Sequence, residues 1–219
     1  MEVTIPAATR LAFGRRLRAW YRKTARDLPW RRTRDPYHIL VSELMLQQTQ
    51  VSRVVPKYGE FLARYPTIES LAAARPKQVA EAWSGLGYYA RARNLHKLSR
   101  QIARAGGVLP DDPVELRALP GVGAYTAGAV ASFAYERRAA LVDTNVARVL
   151  IRVFAPTLDP RTNHKLAWDL ARATLPRQGR VAYTHNQALM ELGALICTAR
   201  VRHCARCPVT AICATTDRS

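Results

Sequence analysis

A glutamate set in an apolar run and a terminal group of four cysteines have the residue types and surroundings to do chemistry in this sequence of 219 residues. Glu43 lies within HILVSELMLQQTQV, bounded by Val41, Leu44 and Leu46. A carboxyl held in a mostly apolar helix is partly desolvated, which raises its pKa toward the roughly 6 to 7 that suits a general acid. A satisfied buried glutamate, or a surface position on the helix, would leave the same local pattern. The cysteines Cys197, Cys204, Cys207 and Cys213 fall in the last 23 residues with the spacing C-x6-C-x2-C-x5-C. In a reducing compartment such clustering reads as a metal site rather than as two disulfides. Thiolates suit zinc or an iron-sulfur cluster, and four cysteines alone do not decide between them.

The segment ELRALPGVGAYTAGAVASFA joins a short helical stretch to a helix of small residues through a tight turn at Pro120 to Gly123. This is a helix-hairpin-helix pattern. Gly121 and Gly123 let backbone amides approach an anion closely, and the positive end of the following helix begins there, so a DNA phosphate is a natural ligand. An ordinary helix-helix turn is the plainer reading. About twenty residues on, the run AALV ends before Asp143, which precedes Thr144, Asn145 and the helical pattern VARVLIRVF. Asp143 can cap that helix; at the mouth of a DNA-binding turn it could instead stabilise a developing sugar cation. The residues leave both open.

The elements that position these groups read as helices. Phe13, Leu17, Trp20, Tyr21 and Thr24 recur at helical spacing, most later segments repeat that period, and no long alternating strand pattern appears. An all-α fold is expected. Asp35 before Pro36, and Asp112 before Pro113, put a capping carboxylate ahead of a proline suited to the first helical turn. Breaks are expected near Pro56, Pro66 and Pro76, at Gly85 to Gly87, at Gly106 and Gly107, and from Pro156 to Pro160.

Lys and Arg number 34 against 16 acidic residues, a formal charge of +18. A polyanion is the expected partner. No apolar run reaches the roughly 18 to 20 residues of a membrane span. The opening MEVTIPAATRLAFGRRLR lacks the charged start, apolar block and cleavage site of a secretory signal. A reducing, cytoplasmic setting is expected, beside the nucleoid in a prokaryote.

Taken together, LPWRRTRDPYHILVSELMLQQTQV, WSGLGYYARARNLHK, LPGVGAYTAGA, VDTNVARVL, NQALMELGALIC and the four cysteines resemble the endonuclease III superfamily of helix-hairpin-helix DNA glycosylases, in its adenine-specific branch. That resemblance implies a 4Fe-4S cluster on the four cysteines. It implies two helical domains, a six-helix domain over 28–138 with the helix-hairpin-helix and a cluster domain from 1–27 and 139–219, with the active site in the cleft between. It further implies that Glu43 protonates adenine at N7 and helps activate water, and that Asp143 stabilises or traps the sugar cation. Tyr125 and Asn145 would position the two carboxylates. Related bifunctional lyases hold a Schiff-base lysine at the position of Tyr125, which a phenol cannot replace, so a monofunctional enzyme is expected. Arg31 and Gln187 match positions that contact the extruded base; Gln47, Gln48, Leu86 and Tyr88 match elements that enter the helix, fill the vacated stack or contact the opposite base. Arg200 and Arg202, in the first cysteine loop, are expected on DNA phosphates.

The match stops after Cys213, where adenine-specific members usually continue into a domain that recognises 8-oxoguanine. The expected substrate is duplex DNA with a mismatch or an oxidised guanine, the expected state a monomer. Compact thymine/uracil mismatch glycosylases, which also carry the tyrosine and aspartate, are the alternative, and a noncatalytic DNA-binding protein that keeps the cluster is a third.

Overall fold

The computed structural model describes residues 4–215, which fold into two compact units. Among them there are eleven α-helices, three 3-10 turns and no strand; one isolated bridge pairs Cys197 with Arg202. None of these helices is long and apolar enough to cross a membrane.

One unit is the continuous stretch Asp27–Tyr135. Its helices are α2 (Pro36–Leu46), α3 (Val51–Arg64), α4 (Ile68–Ala73), α5 (Pro76–Ala82), α6 (Ala90–Arg104), α7 (Pro113–Arg117) and α8 (Ala124–Phe133), with α1 (Ala7–Thr24) lying outside it. The two Asp-Pro pairs act as the sequence predicts. Asp35 accepts from the His38 amide, and Asp112 from the amides of Val114 and Glu115, so each side chain satisfies donors that a helix start leaves unpaired. The core closes around Trp83, Phe61, Leu71, Leu95 and Leu98, with Phe61 edge-on to Trp83 at 5.8 Å.

The break expected at Pro56 does not occur: Pro56 lies inside α3. A proline there gives up one backbone hydrogen bond, and the helix continues because Val54, Tyr58 and Phe61 are buried along one face on either side of it. Tertiary burial outweighs the local breaker.

The other unit joins Met1–Arg26 to Glu136–Ser219 and holds α1, α9 (Thr144–Phe154), α10 (His164–Thr174) and α11 (Gly179–Leu195). Helix α1 packs Phe13, Leu17 and Tyr21 against α11, and α9 packs on both α10 and α11. Full burial of one such side chain contributes about 1.5 to 3 kcal/mol. Glu191 of α11 is fully buried and accepts from the backbone amide, Nε and Nη2 of Arg26, at 2.9, 3.0 and 2.8 Å. That pair ties the segment after α1 to α11. At the start of α11 the backbone comes so close to Glu136 that a Cβ on Gly179 would lie 1.6 Å from the Glu136 carbonyl oxygen. No side chain fits there.

Candidate functional site

Helix α2 is buried from Ile39 to Met45, and Glu43 sits in that run with 3% of its surface exposed. The Tyr125 hydroxyl donates to Glu43 Oε2 at 2.7 Å. Tyr125 is the second residue of α8, which starts where the hairpin turn ends, so the turn sets the height of the phenol over the carboxyl. Next to it, the Gln47 amide donates to the Thr126 hydroxyl at 3.2 Å. The end of α2 and the start of α8 are thus joined twice through polar side chains.

The hairpin turn has the geometry its glycines imply at one position and not at the other. Gly121 adopts φ +77°, and a Cβ there would meet the Asn94 Cβ at 2.6 Å. Gly123 caps α8 with an ordinary extended backbone and faces open space, so its lack of a side chain serves outside access rather than conformation.

Two loops flank this end of the unit, and both carry a non-glycine residue in left-handed backbone: Gln48 at φ +54° and Tyr88 at φ +47°. Such conformations cost about 1 kcal/mol or more and cluster at functional sites. Both side chains are exposed, Tyr88 by 61%. Leu86 departs from its expected place. It is 3% exposed and packs inside the unit, so it has no surface to offer a DNA stack.

Sequence reasoning missed the residue that joins these loops. The Arg91 guanidinium donates to the carbonyls of Leu44, Met45 and Gln47 at the end of α2, and to those of Leu86 and Gly87 and the Thr49 hydroxyl. It stacks over the rings of Trp83 and Tyr88, at 5.7 and 5.3 Å. One side chain therefore fixes the Gln47–Gln48 loop to the Leu86–Tyr88 loop. In a chain with 34 basic residues nothing local marks this arginine, although GLGYYARARN places it one turn after the glycine loop.

In the other unit, Asp143 caps α9: Oδ1 accepts from the Val146 amide at 2.7 Å and Oδ2 from the Asn145 side chain at 2.9 Å. Burial pushes the Asp143 carboxyl up from the ordinary aspartate range, opposed by those hydrogen bonds and by the charge of Arg148. The capping reading is therefore correct, and it leaves a partly desolvated carboxylate in a fixed orientation. Arg148 extends the network. Its guanidinium donates to Asn145 Oδ1 at 2.7 Å and to the carbonyls of Gly193 and Cys197, both at 2.8 Å. Asp143 is thus connected through two side chains to the first cysteine.

Arg31 ends the 3-10 turn Pro29–Arg31 and is half-buried, while Gln187 on α11 is 5% exposed. Arg200 and Arg202 are exposed in the loop between Cys197 and Cys204.

Cys197, Cys204, Cys207 and Cys213 form no disulfide and line one cavity together with Val149, Arg152 and Ile196. Burial pushes the Cys207 thiol up, and Cys197 and Cys213 are near enough to push it further. Arg152 donates to Cys197 Sγ at 3.4 Å. Among the described residues no three His, Cys, Asp or Glu side chains are placed to hold a single ion. Four thiols bordering one cavity are a donor set suited to a metal-thiolate centre.

Residues 41–172 match the family model described as HhH-GPD superfamily base excision DNA repair protein. The chain is 47% identical to the adenine DNA glycosylase of Mycolicibacterium smegmatis, over 89% of this chain and 66% of that protein. Its identity to the adenine DNA glycosylase of Rattus norvegicus is 44%, over 92% and 41%. The chain thus spans between about two fifths and two thirds of the length of these relatives. A thymine-DNA glycosylase of Aeropyrum pernix is 40% identical over 92% of this chain and 93% of its own length. Among solved structures, a thermostable thymine-DNA glycosylase superposes with a TM-score of 0.86 at 32% identity, covering 95% of this chain and 96% of that one. An endonuclease III in a DNA complex superposes at 0.80 with 23% identity, covering 97% of each chain, a likeness of fold.

Proposed function

Because the chain belongs to the HhH-GPD superfamily of base excision DNA repair proteins, we propose that it is a DNA glycosylase that flips a mispaired adenine, opposite 8-oxoguanine or guanine, out of the duplex and hydrolyses its N-glycosidic bond. The Tyr125 hydroxyl on the buried Glu43 carries the reading. It supplies an acid for the leaving base, held by a phenol at the position where a lyase of this superfamily would place its lysine. In the proposed mechanism Glu43 protonates adenine N7 and then assists the attacking water. Asp143, held by Val146 and Asn145, stabilises the oxocarbenium-like sugar, so one acid and one carboxylate share the work as in other glycosidic cleavages. Arg31 and Gln187 hold the extruded base, and exposed Tyr88 and Gln48 occupy the vacated stack. Without a nucleophilic amine the enzyme is monofunctional; borohydride should trap no protein-DNA adduct, and a robust adduct would refute this.

A second reading, excision of thymine or uracil opposite guanine, is favoured by the Aeropyrum pernix relative, which the chain matches over nearly its full length. Single-turnover assays on duplexes holding A, T or U opposite G or 8-oxoguanine separate the two. Fast removal of A alone supports the first reading, and fast removal of T or U with A untouched replaces it with the second.

The four thiols around one cavity support a 4Fe-4S cluster, which when bound braces the Cys197–Cys204 loop and so presents Arg200 and Arg202 to phosphates. Purified protein should be yellow-brown and contain iron. Colourless protein with one zinc and no iron would overturn the assignment.

A further inference from the structure

Helix α6 presents a row of cations that the proposed site does not use. Arg93, Lys97, Arg100 and Arg104 are all exposed, and at 100° per residue they fall within an arc of about 60° along about 16 Å of helix. The sequence of α6, ARARNLHKLSRQIAR, contains no acidic residue. None of the four side chains has a hydrogen-bond or ion-pair partner among the described residues. Like charges at such spacings destabilise a helix by about 0.2 to 0.5 kcal/mol per pair, and only Arg104, in the last turn, gains from the helix dipole. The row thus costs the free protein stability and lacks an internal counter-charge.

Its position says what would supply one. Lys97, Arg100 and Arg104 border an open depression whose far wall is Pro120, the first residue of the hairpin turn. The turn itself rests on α6 at Asn94. The row is therefore continuous with the amides of Gly121 to Gly123. One strand of duplex carries a phosphate per about 3.4 Å of axis, so a backbone docked on the turn has phosphates to spare for cations spread over about 16 Å.

We infer that the exposed face of α6 is a second phosphate-binding track, which continues the hairpin contact along the backbone of the bound duplex. The inference rests on the reading that the chain binds duplex DNA. The track adds affinity without touching the reacting base.

The test uses the full chain with Lys97→Ser, Arg100→Ser and Arg104→Ser combined, and a control carrying Arg100→Lys and Arg104→Lys. Equilibrium binding to one undamaged duplex is followed against salt concentration. The log-log slope should become shallower by about 0.9 for each phosphate left without its cation, up to about 2.7 for three, with the lysine control close to wild type. Single-turnover excision at saturating enzyme should stay at the wild-type rate in both. An unchanged slope in the triple variant overturns the track, as does a loss of binding to polyglutamate with duplex binding intact, which would make an acidic polypeptide the occupant. Wild-type protein that fails to bind duplex at all would instead refute the underlying DNA-binding reading.

Discussion

The Arg148 guanidinium and the Asn145 side-chain oxygen are 2.7 Å apart, and the same asparagine donates to Asp143 at 2.9 Å. Arg148 also holds the Cys197 and Gly193 carbonyls, so the loop that starts the cysteine cluster and the carboxylate that faces the proposed sugar cation share one support. Arg148→Gln should let Asn145 turn and Asp143 lose its orientation. Base excision at saturating enzyme is expected to slow about 10- to 100-fold, the usual cost of a misplaced catalytic group, while duplex binding changes little. Gly193→Ala should act on the same asparagine from the other side, since its Cβ would lie 2.6 Å from that of Asn145. Wild-type rates in both variants would detach this network from catalysis.

The two proposed catalytic carboxylates call for shape-preserving changes. Glu43→Gln removes the acid and Asp143→Asn the charge, and each should slow single-turnover excision by about 10²- to 10⁴-fold. Because both act on one bond-breaking event, the double variant should fall well short of the product of the two losses. Strict multiplicativity would mean that they act in separate steps.

Arg91 satisfies six oxygen acceptors at the end of α2 and in the two loops beside it. Arg91→Met leaves several buried carbonyls without donors and should cost about 3 kcal/mol or more in chemical denaturation. Arg91→Lys should recover little of this, because an ammonium lacks the planar fork that reaches both loops. Full stability in the lysine variant would show that charge alone suffices.

His185 on α11 is fully buried, edge-on to Phe13 at 5.9 Å, and neither ring nitrogen has a hydrogen-bond partner. Burial, with some repulsion from Arg18, lowers its pKa to about 3. An unfolded histidine titrates near 6.5, so between those values the unfolded chain binds a proton that the folded one refuses. Stability should therefore fall as pH drops through that window, by up to about 1.4 kcal/mol per pH unit from this residue. His185→Phe should flatten the dependence and, by removing two unsatisfied nitrogens, add about 1 to 3 kcal/mol near neutral pH. Denaturation series across the window for both proteins measure the difference, and parallel curves would show that His185 finds a partner.

The parts of the fold that were legible in the sequence depend on local physics. Helical periodicity, the Asp35 and Asp112 caps and the Pro-Gly-x-Gly turn each act over a few residues. The four cysteines were legible as a group because their spacing is uncommon, and the Asp143 cap because it acts on the next helical turn, whereas a catalytic use of Asp143 left no local mark. Pro56 misled because the burial that overrides it comes from elsewhere in the unit. Leu86 misled because a leucine beside two glycines fits a tip or a core equally well, and only packing decides. Arg91 and Arg148 were hidden by number: among so many surface cations, the two folded inward carry no mark of it.

Building one unit from both ends of the chain has a consequence for synthesis. Residues Asp27–Tyr135 can close on themselves as soon as they leave the ribosome. Helix α1 emerges before them, yet its apolar stripe of Phe13, Leu17 and Tyr21 packs on α11, which begins only at Gly179. At about 5 to 20 residues per second, that stripe waits on the order of ten seconds or longer without its partner. The same holds for Arg26, whose buried mate Glu191 comes later still. Helix α1 is thus housed only after α11 has been made, and until then its apolar stripe is open to chaperones and to aggregation.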